Sequence, residues 1–304
     1  MTGSAQSETA WTAQEAALST FMSTFDVPAG VEGVEEFLAD MMPLMNGAAR
    51  GAESAAARHL DVGEIEGWRL NLRMYPGGRP SVVLIHGGAW TMGSPQTHEG
   101  MAQEFCRLGY TVFSVDYPRA PRWRFPAGLR ACAAAFGWLE EHAPELGVDV
   151  PFAVLGDSAG ANLAAGLFSG GYLDPGGRAA VLMYGIFDYE RALPALGPLV
   201  GGAGIREQLY VDPSDCPAVL HDPGLSPLRG AERLPAAWIG VGTRDPLVDE
   251  SLALSRRLDE LGRTHVLYIG SDAPHSFLQM PFHSAYRPGF ASIERFLADR
   301  STQG

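Results

Sequence analysis

Lysine is absent from all 304 residues, so each of the 22 basic side chains is an arginine, set against 35 acidic ones. The resulting net charge of −13, with no basic patch or arginine run, argues against nucleic acid and against an anionic membrane surface as partners. Cysteine is scarce. Cys106, Cys132 and Cys216 are odd in number and widely spaced, which suits free thiols in a reducing compartment and offers no metal-ligand spacing. No run approaches the roughly eighteen consecutive apolar residues that a membrane helix needs. Residues 1–12 are polar and lack the basic start and apolar core of a secretory signal. A cytoplasmic location is expected.

Apolar residues make up 46% of the chain, enough to bury a large core. From residue 62 onward strand patterns alternate with helical ones: 62–75, 82–85, 111–115, 152–155, 180–184, 237–241 and 266–269. Such alternation predicts an α/β fold with a mostly parallel sheet and helices on both faces. Two amphipathic helices are expected ahead of it, over 13–25 (Leu18, Phe21, Met22, Phe25) and 31–45 (Val34, Phe37, Leu38, Met41, Met42, Met45). Residues 189–222 break the rhythm with Pro, Gly and Leu and read as an inserted lid.

Within this frame one segment carries chemistry. Leu155-Gly156-Asp157-Ser158-Ala159-Gly160 follows an apolar strand and opens a small-residue helical pattern. That is the setting in which G-x-S-x-G presents a serine on a strained turn for nucleophilic attack. Upstream, His86-Gly87-Gly88-Ala89-Trp90 follows the strand 82–85. Backbone N–H groups of Gly87 and Gly88, with Ala159, are the expected donors to a tetrahedral oxyanion. Ala89, Trp90 and Asp157, beside those groups, are expected to meet substrate. A serine hydroxyl needs a base, and the base an acid, in the chain order serine, acid, histidine. Asp245 lies just past a strand and His275 in the loop after the next one. Both positions fall at the carboxyl ends of parallel strands, where ligands bind. Asp249, at the opening of a helix, and Asp272, in a turn, are the rival acids and read as structural. His86 reads as a loop brace, and His98 among other histidines has no partner motif.

These motifs, together with Val115-Asp116-Tyr117, Ala120-Pro121, Phe125-Pro126-Ala127, Ser226-Pro227-Leu228, Asp245-Pro246-Leu247 and His275-Ser276-Phe277, resemble the hormone-sensitive-lipase-like bacterial esterases of the α/β-hydrolase superfamily. The resemblance implies an α/β-hydrolase core over 56–188 and 226–304. It implies a helical cap from residues 1–55 and a second cap segment, 189–225. The implied activity is hydrolysis of small to medium apolar acyl esters, with Ser158, His275 and Asp245 as the triad and no cofactor or metal. An amide, formamide, lactone or carbamate substrate, or a non-hydrolytic or ligand-binding use of the pocket, remains an alternative within the same site. A small-molecule ester is the expected partner, and the resemblance leaves a homodimer open. Two departures stand out. Ala89 replaces the family's third glycine, and Arg122 stands where an acidic residue is common, so that an ion pair typical of the family is absent or rearranged.

Overall fold

The structure, a computed structural model, describes residues 57–199, 210–212 and 217–301. The helices expected over 13–25 and 31–45 lie outside the described residues, as does Cys216. The chain opens with an antiparallel hairpin, β1 (Arg58–Ile65) and β2 (Trp68–Tyr75), where a single strand pattern is legible in the sequence. Glu66 and Gly67 form the two-residue turn, both at positive φ (50° and 82°). Two such residues give a turn whose twist matches that of the flanking strands.

Then follow β3 (Ser81–Ile85), α1 (Glu99–Arg107), β4 (Thr111–Asp116), α2 (Ala127–His142), β5 (Ala153–Asp157), α3 (Ala159–Ser169) and β6 (Ala179–Met183). The last elements are α4 (Tyr189–Leu199), β7 (Ala236–Gly242), α5 (Val248–Glu260), β8 (His265–Gly270) and α6 (Tyr286–Ser301). They build one eight-stranded sheet in the order β1-β2-β4-β3-β5-β6-β7-β8. β2 runs antiparallel to β4, and every pairing from β4 to β8 is parallel. The region expected to be irregular begins as a helix, α4.

All five residues of β3, β5 and β6 are buried, as strands covered on both faces must be. Their alternate side chains feed two cores. Val83, Ile85, Val154 and Leu182 pack with Leu129 and Phe136 of α2, Leu163 of α3 and Leu254 of α5. Val82, Leu84, Leu155 and Val181 point the other way, onto Met101 and Phe105 of α1 and Ile293 and Leu297 of α6. The chain leaves β3 toward β4 on one side and returns to β5 on the other. Their carboxyl ends therefore flank the crevice where open α/β sheets bind ligands.

Leu163 is fully buried in the first of these cores. Leu163→Ala is expected to lower unfolding stability by about 2–5 kcal/mol. Urea denaturation reads this, and a midpoint equal to that of the unsubstituted chain would contradict the packing described.

Candidate active site

The turn between β5 and α3 is the tightest point of the crevice. Ser158 sits at φ 53°, ψ −119°, a conformation that costs a non-glycine residue on the order of 1–3 kcal/mol and is held only by its surroundings. Three backbone hydrogen bonds hold it: Ser158 N–H donates to Met183 O at 2.8 Å, and Ser158 O accepts from Ala161 N–H at 3.0 Å and Asn162 N–H at 3.1 Å. The turn lies so close to β3 that a Cβ on Gly160 would stand 2.0 Å from Ile85 O. Only glycine lets helix and strand approach this far.

From this turn Ser158 Oγ lies 3.0 Å from His275 Nε2, and His275 Nδ1 lies 2.9 Å from Asp245 Oδ2. Asp245 is 2% exposed, and its other oxygen accepts Leu247 N–H at 2.8 Å. The Tyr184 ring stands edge-on to His275, 5.1 Å between centroids, and limits its rotation. Serine, histidine and aspartate come from the ends of β5, β8 and β7, with Ser158 and His275 117 residues apart in the chain, and the sheet brings them together. The rival acids are elsewhere: Asp249 is exposed in the first turn of α5, and Asp272 pairs with Arg244 at 3.0 Å in open solvent.

A family model described as the α/β hydrolase fold matches residues 82–279. The chain belongs to the α/β-hydrolase family. It is 29% identical over 251 residues to the ethyl acetate hydrolase of Pseudomonas putida, across 77% of this chain and 79% of that protein. It is 33% identical over 223 residues to the carboxylic ester hydrolase LipN of Mycobacterium tuberculosis, across 67% of this chain and 58% of the relative. The solved Pyrobaculum calidifontis esterase superposes with a TM-score of 0.78 at 25% identity, over 94% of this chain and 98% of that one. Motifs and relatives together place this α/β-hydrolase in the hormone-sensitive-lipase-like branch.

The loop after β3 differs from its expected arrangement. Gly87 was expected to offer its N–H to the oxyanion, but that group donates to Asp157 Oδ1 at 2.8 Å, with His98 Nε2 at 3.3 Å. A donor held by a buried carboxylate is not free for substrate. The next two residues turn sharply, Gly88 at φ 123° and Ala89 at φ 49°. Gly88 O closes the turn by accepting from Thr91 and Met92 N–H. Among the described residues no protein acceptor is recorded for the N–H of Gly88, Ala89 or Ala159.

Two expected substrate contacts also take other roles. Asp157 is 1% exposed and accepts from Gly87 N–H and from Gln279 Nε2, the latter at 2.9 Å. It braces the site from beneath. Trp90 is buried, stacked on Tyr210 at 4.4 Å and tilted against Tyr189, with its indole N–H donated to Asn162 Oδ1 at 3.2 Å. It ties the β3 loop to α4 and to the 210–212 segment.

His86 behaves as a brace. It stacks on Tyr117 at 4.3 Å, and its Nδ1 lies 2.9 Å from Gly87 O. Burial first, then the nearby His98 and Arg119, holds its pKa well below the ordinary histidine range. Arg122, in place of the family's acidic residue, lies over the Trp123 ring at 4.6 Å. The nearby ion pairs are Arg119–Asp116 and Arg124–Asp212, both at 2.8 Å.

Three supporting residues have no motif to announce them: His98, Gln279 and Glu250. Glu250, only 3% exposed, accepts from Phe187 N–H (2.8 Å), Asp188 N–H (2.6 Å) and Arg191 Nε (2.6 Å). It clamps the β6–α4 turn onto α5, five residues after Asp245. The one sequence signal was an acidic residue in an otherwise apolar helix face.

Adding a Cβ at position 160 forces the β5–α3 turn away from β3. Gly160→Ala is expected to destabilise the protein by more than about 2 kcal/mol, since a buried backbone contact must open. Thermal unfolding measures it, and a melting temperature unchanged from the parent would show that the approach is not needed.

Proposed function

We propose that this α/β-hydrolase cleaves small to medium apolar carboxylic esters through Ser158, His275 and Asp245 by way of an acyl-enzyme. The observation that carries the reading is the continuous hydrogen-bond chain from Ser158 Oγ through His275 to Asp245. In this reading Ser158 Oγ attacks the ester carbonyl while His275 Nε2 takes its proton. Asp245 accepts from the opposite ring nitrogen, which fixes the tautomer and stabilises the imidazolium that forms. The oxyanion is received by the N–H groups of Gly88, Ala89 and Ala159. Ala159 opens α3, so the positive end of the helix adds to the field at that point. His275 then gives its proton to the leaving alcohol, and later activates the water that releases the acid.

A relative named for ethyl acetate supports a short acyl group. Trp90, Tyr189 and Tyr210 pack as a buried aromatic group that anchors residues 189–199 and 210–212 to the loop after β3, which supports a cap over the site. We assign residues 1–55 and 189–225 to the cap that covers the site. A small-molecule ester is the partner in this reading. A reducing, cytoplasmic setting is supported by the free thiols of Cys106 and Cys132. Among the described residues no helix is long and apolar enough to cross a membrane.

Hydrolysis of p-nitrophenyl esters from acetate to dodecanoate tests the reading. Turnover is expected to fall with acyl length and to drop by about 10⁶-fold in Ser158→Ala. No turnover of any ester by folded protein, or turnover retained without Ser158, would sink it. Asp245→Asn keeps the geometry but leaves the imidazole in the wrong tautomer, so kcat is expected to fall by about 10⁴-fold. A loss under about tenfold would show that Asp245 does not orient the base.

A further inference from the structure

Gln279 lies four residues after His275, in the short 3-10 turn Phe277–Gln279. Its side chain leaves the triad alone and reaches beneath it. Nε2 lies 2.9 Å from Asp157 Oδ2 and 3.0 Å from His98 Nε2.

His98 is held from two sides: the Thr97 hydroxyl lies 2.8 Å from its Nδ1, and its Nε2 lies 3.1 Å from Asp157 Oδ1. The Gln279 amide nitrogen thus sits against an imidazole and the carboxylate that the imidazole itself faces. Asp157 Oδ1 also holds Gly87 N–H at 2.8 Å.

Three parts of the site thus converge on one buried carboxylate. Asp157 immediately precedes the nucleophile, Gly87 immediately precedes the turn that carries the Gly88 and Ala89 N–H groups, and Gln279 belongs to the loop that carries His275. Hydrogen bonds to a buried charge are among the strong ones, and each is geometrically exacting. The turn itself does not depend on the amide for its seat, because Phe277 and Leu278 are buried to 0% and 1% exposure. The amide therefore contributes register more than adhesion.

We propose that Gln279 is a positioning residue: through Asp157 it locks the His275 loop to the Gly87–Ala89 loop, so that base and oxyanion donors keep their spacing during ester cleavage. The inference rests on the esterase reading above. Gln279 touches no reacting atom. Its effect falls on kcat, because misplacement by about 1 Å costs on the order of 10²-fold while the ester-binding surface is unchanged.

The test uses the full chain, p-nitrophenyl acetate and two variants, assayed from about pH 6 to about pH 9, where histidine bases titrate. Gln279→Leu removes both donors at similar bulk. Its kcat is expected to fall about 10–100-fold, with KM within about threefold and the melting temperature near that of the parent.

Gln279→Glu places a second carboxyl against Asp157, with His98 facing both, the buried Tyr184 phenol beside them, and His86 behind His98, ring centroids 5.6 Å apart. Two carboxyls in contact share one proton, so one of them is protonated well above the usual carboxylate range. The shared proton restores a donor, and the ratio of Gln279→Glu to parental kcat is expected to rise as pH falls. A merely structural role would leave that ratio flat.

Gln279→Leu with kcat within about twofold of the parent, a loss through KM alone, or a pH-independent ratio for Gln279→Glu would each overturn the proposal. Labelling of Ser158 by a fluorophosphonate separates the two claims. A parent protein inert to both ester and label overturns the esterase reading and this inference together. An active, labelled parent with an unaffected Gln279→Leu overturns only this one.

Discussion

The whole site depends on the close approach of two carboxyl ends, those of β3 and β5. The backbone of Gly160 passes so near Ile85 O that no side chain fits between them. This contact puts the Ser158 turn and the loop after His86 side by side, and it leaves Asp157 between them. Parallel strands joined by helical crossovers cannot place two such loops together unless they are neighbours on either side of the reversal in strand order. β3 and β5 are that pair. The strain of Ser158 at φ 53° is tolerated because the strand, the helix and the β6 backbone all hold it in place.

A second theme is the division of labour between buried carboxylates. Isolated charges in an interior cost several kcal/mol each, so every one must be matched by donors. Asp245 is matched by His275 Nδ1 and Leu247 N–H, which leaves its charge directed along the imidazole. Asp157 receives Gly87 and Gln279, and Glu250 receives two backbone amides and Arg191. All three are nearly fully buried, and only the first faces His275. Their partners decide whether a carboxylate orients a base, braces a loop or clamps a turn.

The described residues of 189–212 meet the core through aromatic stacking and a few polar ties. Trp90 lies under Tyr210 and beside Tyr189, Arg124 pairs with Asp212, and Phe125 N–H donates to Tyr210 O at 2.8 Å. Because Trp90 also hydrogen-bonds Asn162 of α3, the loop that follows β3 is pinned from above and below. One indole ring therefore ties the loop after β3 to α3, to α4 and to the 210–212 segment.

Much of this was legible in the chain alone, for local reasons. Apolar runs bounded by glycine mark buried parallel strands, and Gly156-Asp157-Ser158-Ala159-Gly160 following one of them marks a serine turn. The order of Ser158, Asp245 and His275, each at a strand end, follows from the same pattern. What tertiary structure decided is which backbone and side-chain groups are already engaged. Gly87 and Gly88 are indistinguishable by pattern, yet one N–H is held by Asp157 while the other meets no acceptor among the described residues. Asp157 and Trp90 are expected from sequence to meet substrate, but they are buried and engaged, the first by Gly87 N–H and Gln279, the second by Asn162 and Tyr210. His98 and Gln279, separated by 181 residues, meet only when α1 and the turn after β8 fold onto the same face of the sheet. Periodicity and motifs report what the chain presents to its near neighbours. Hydrogen-bond partnership across the sheet depends on distances that exist only once the strands are in register.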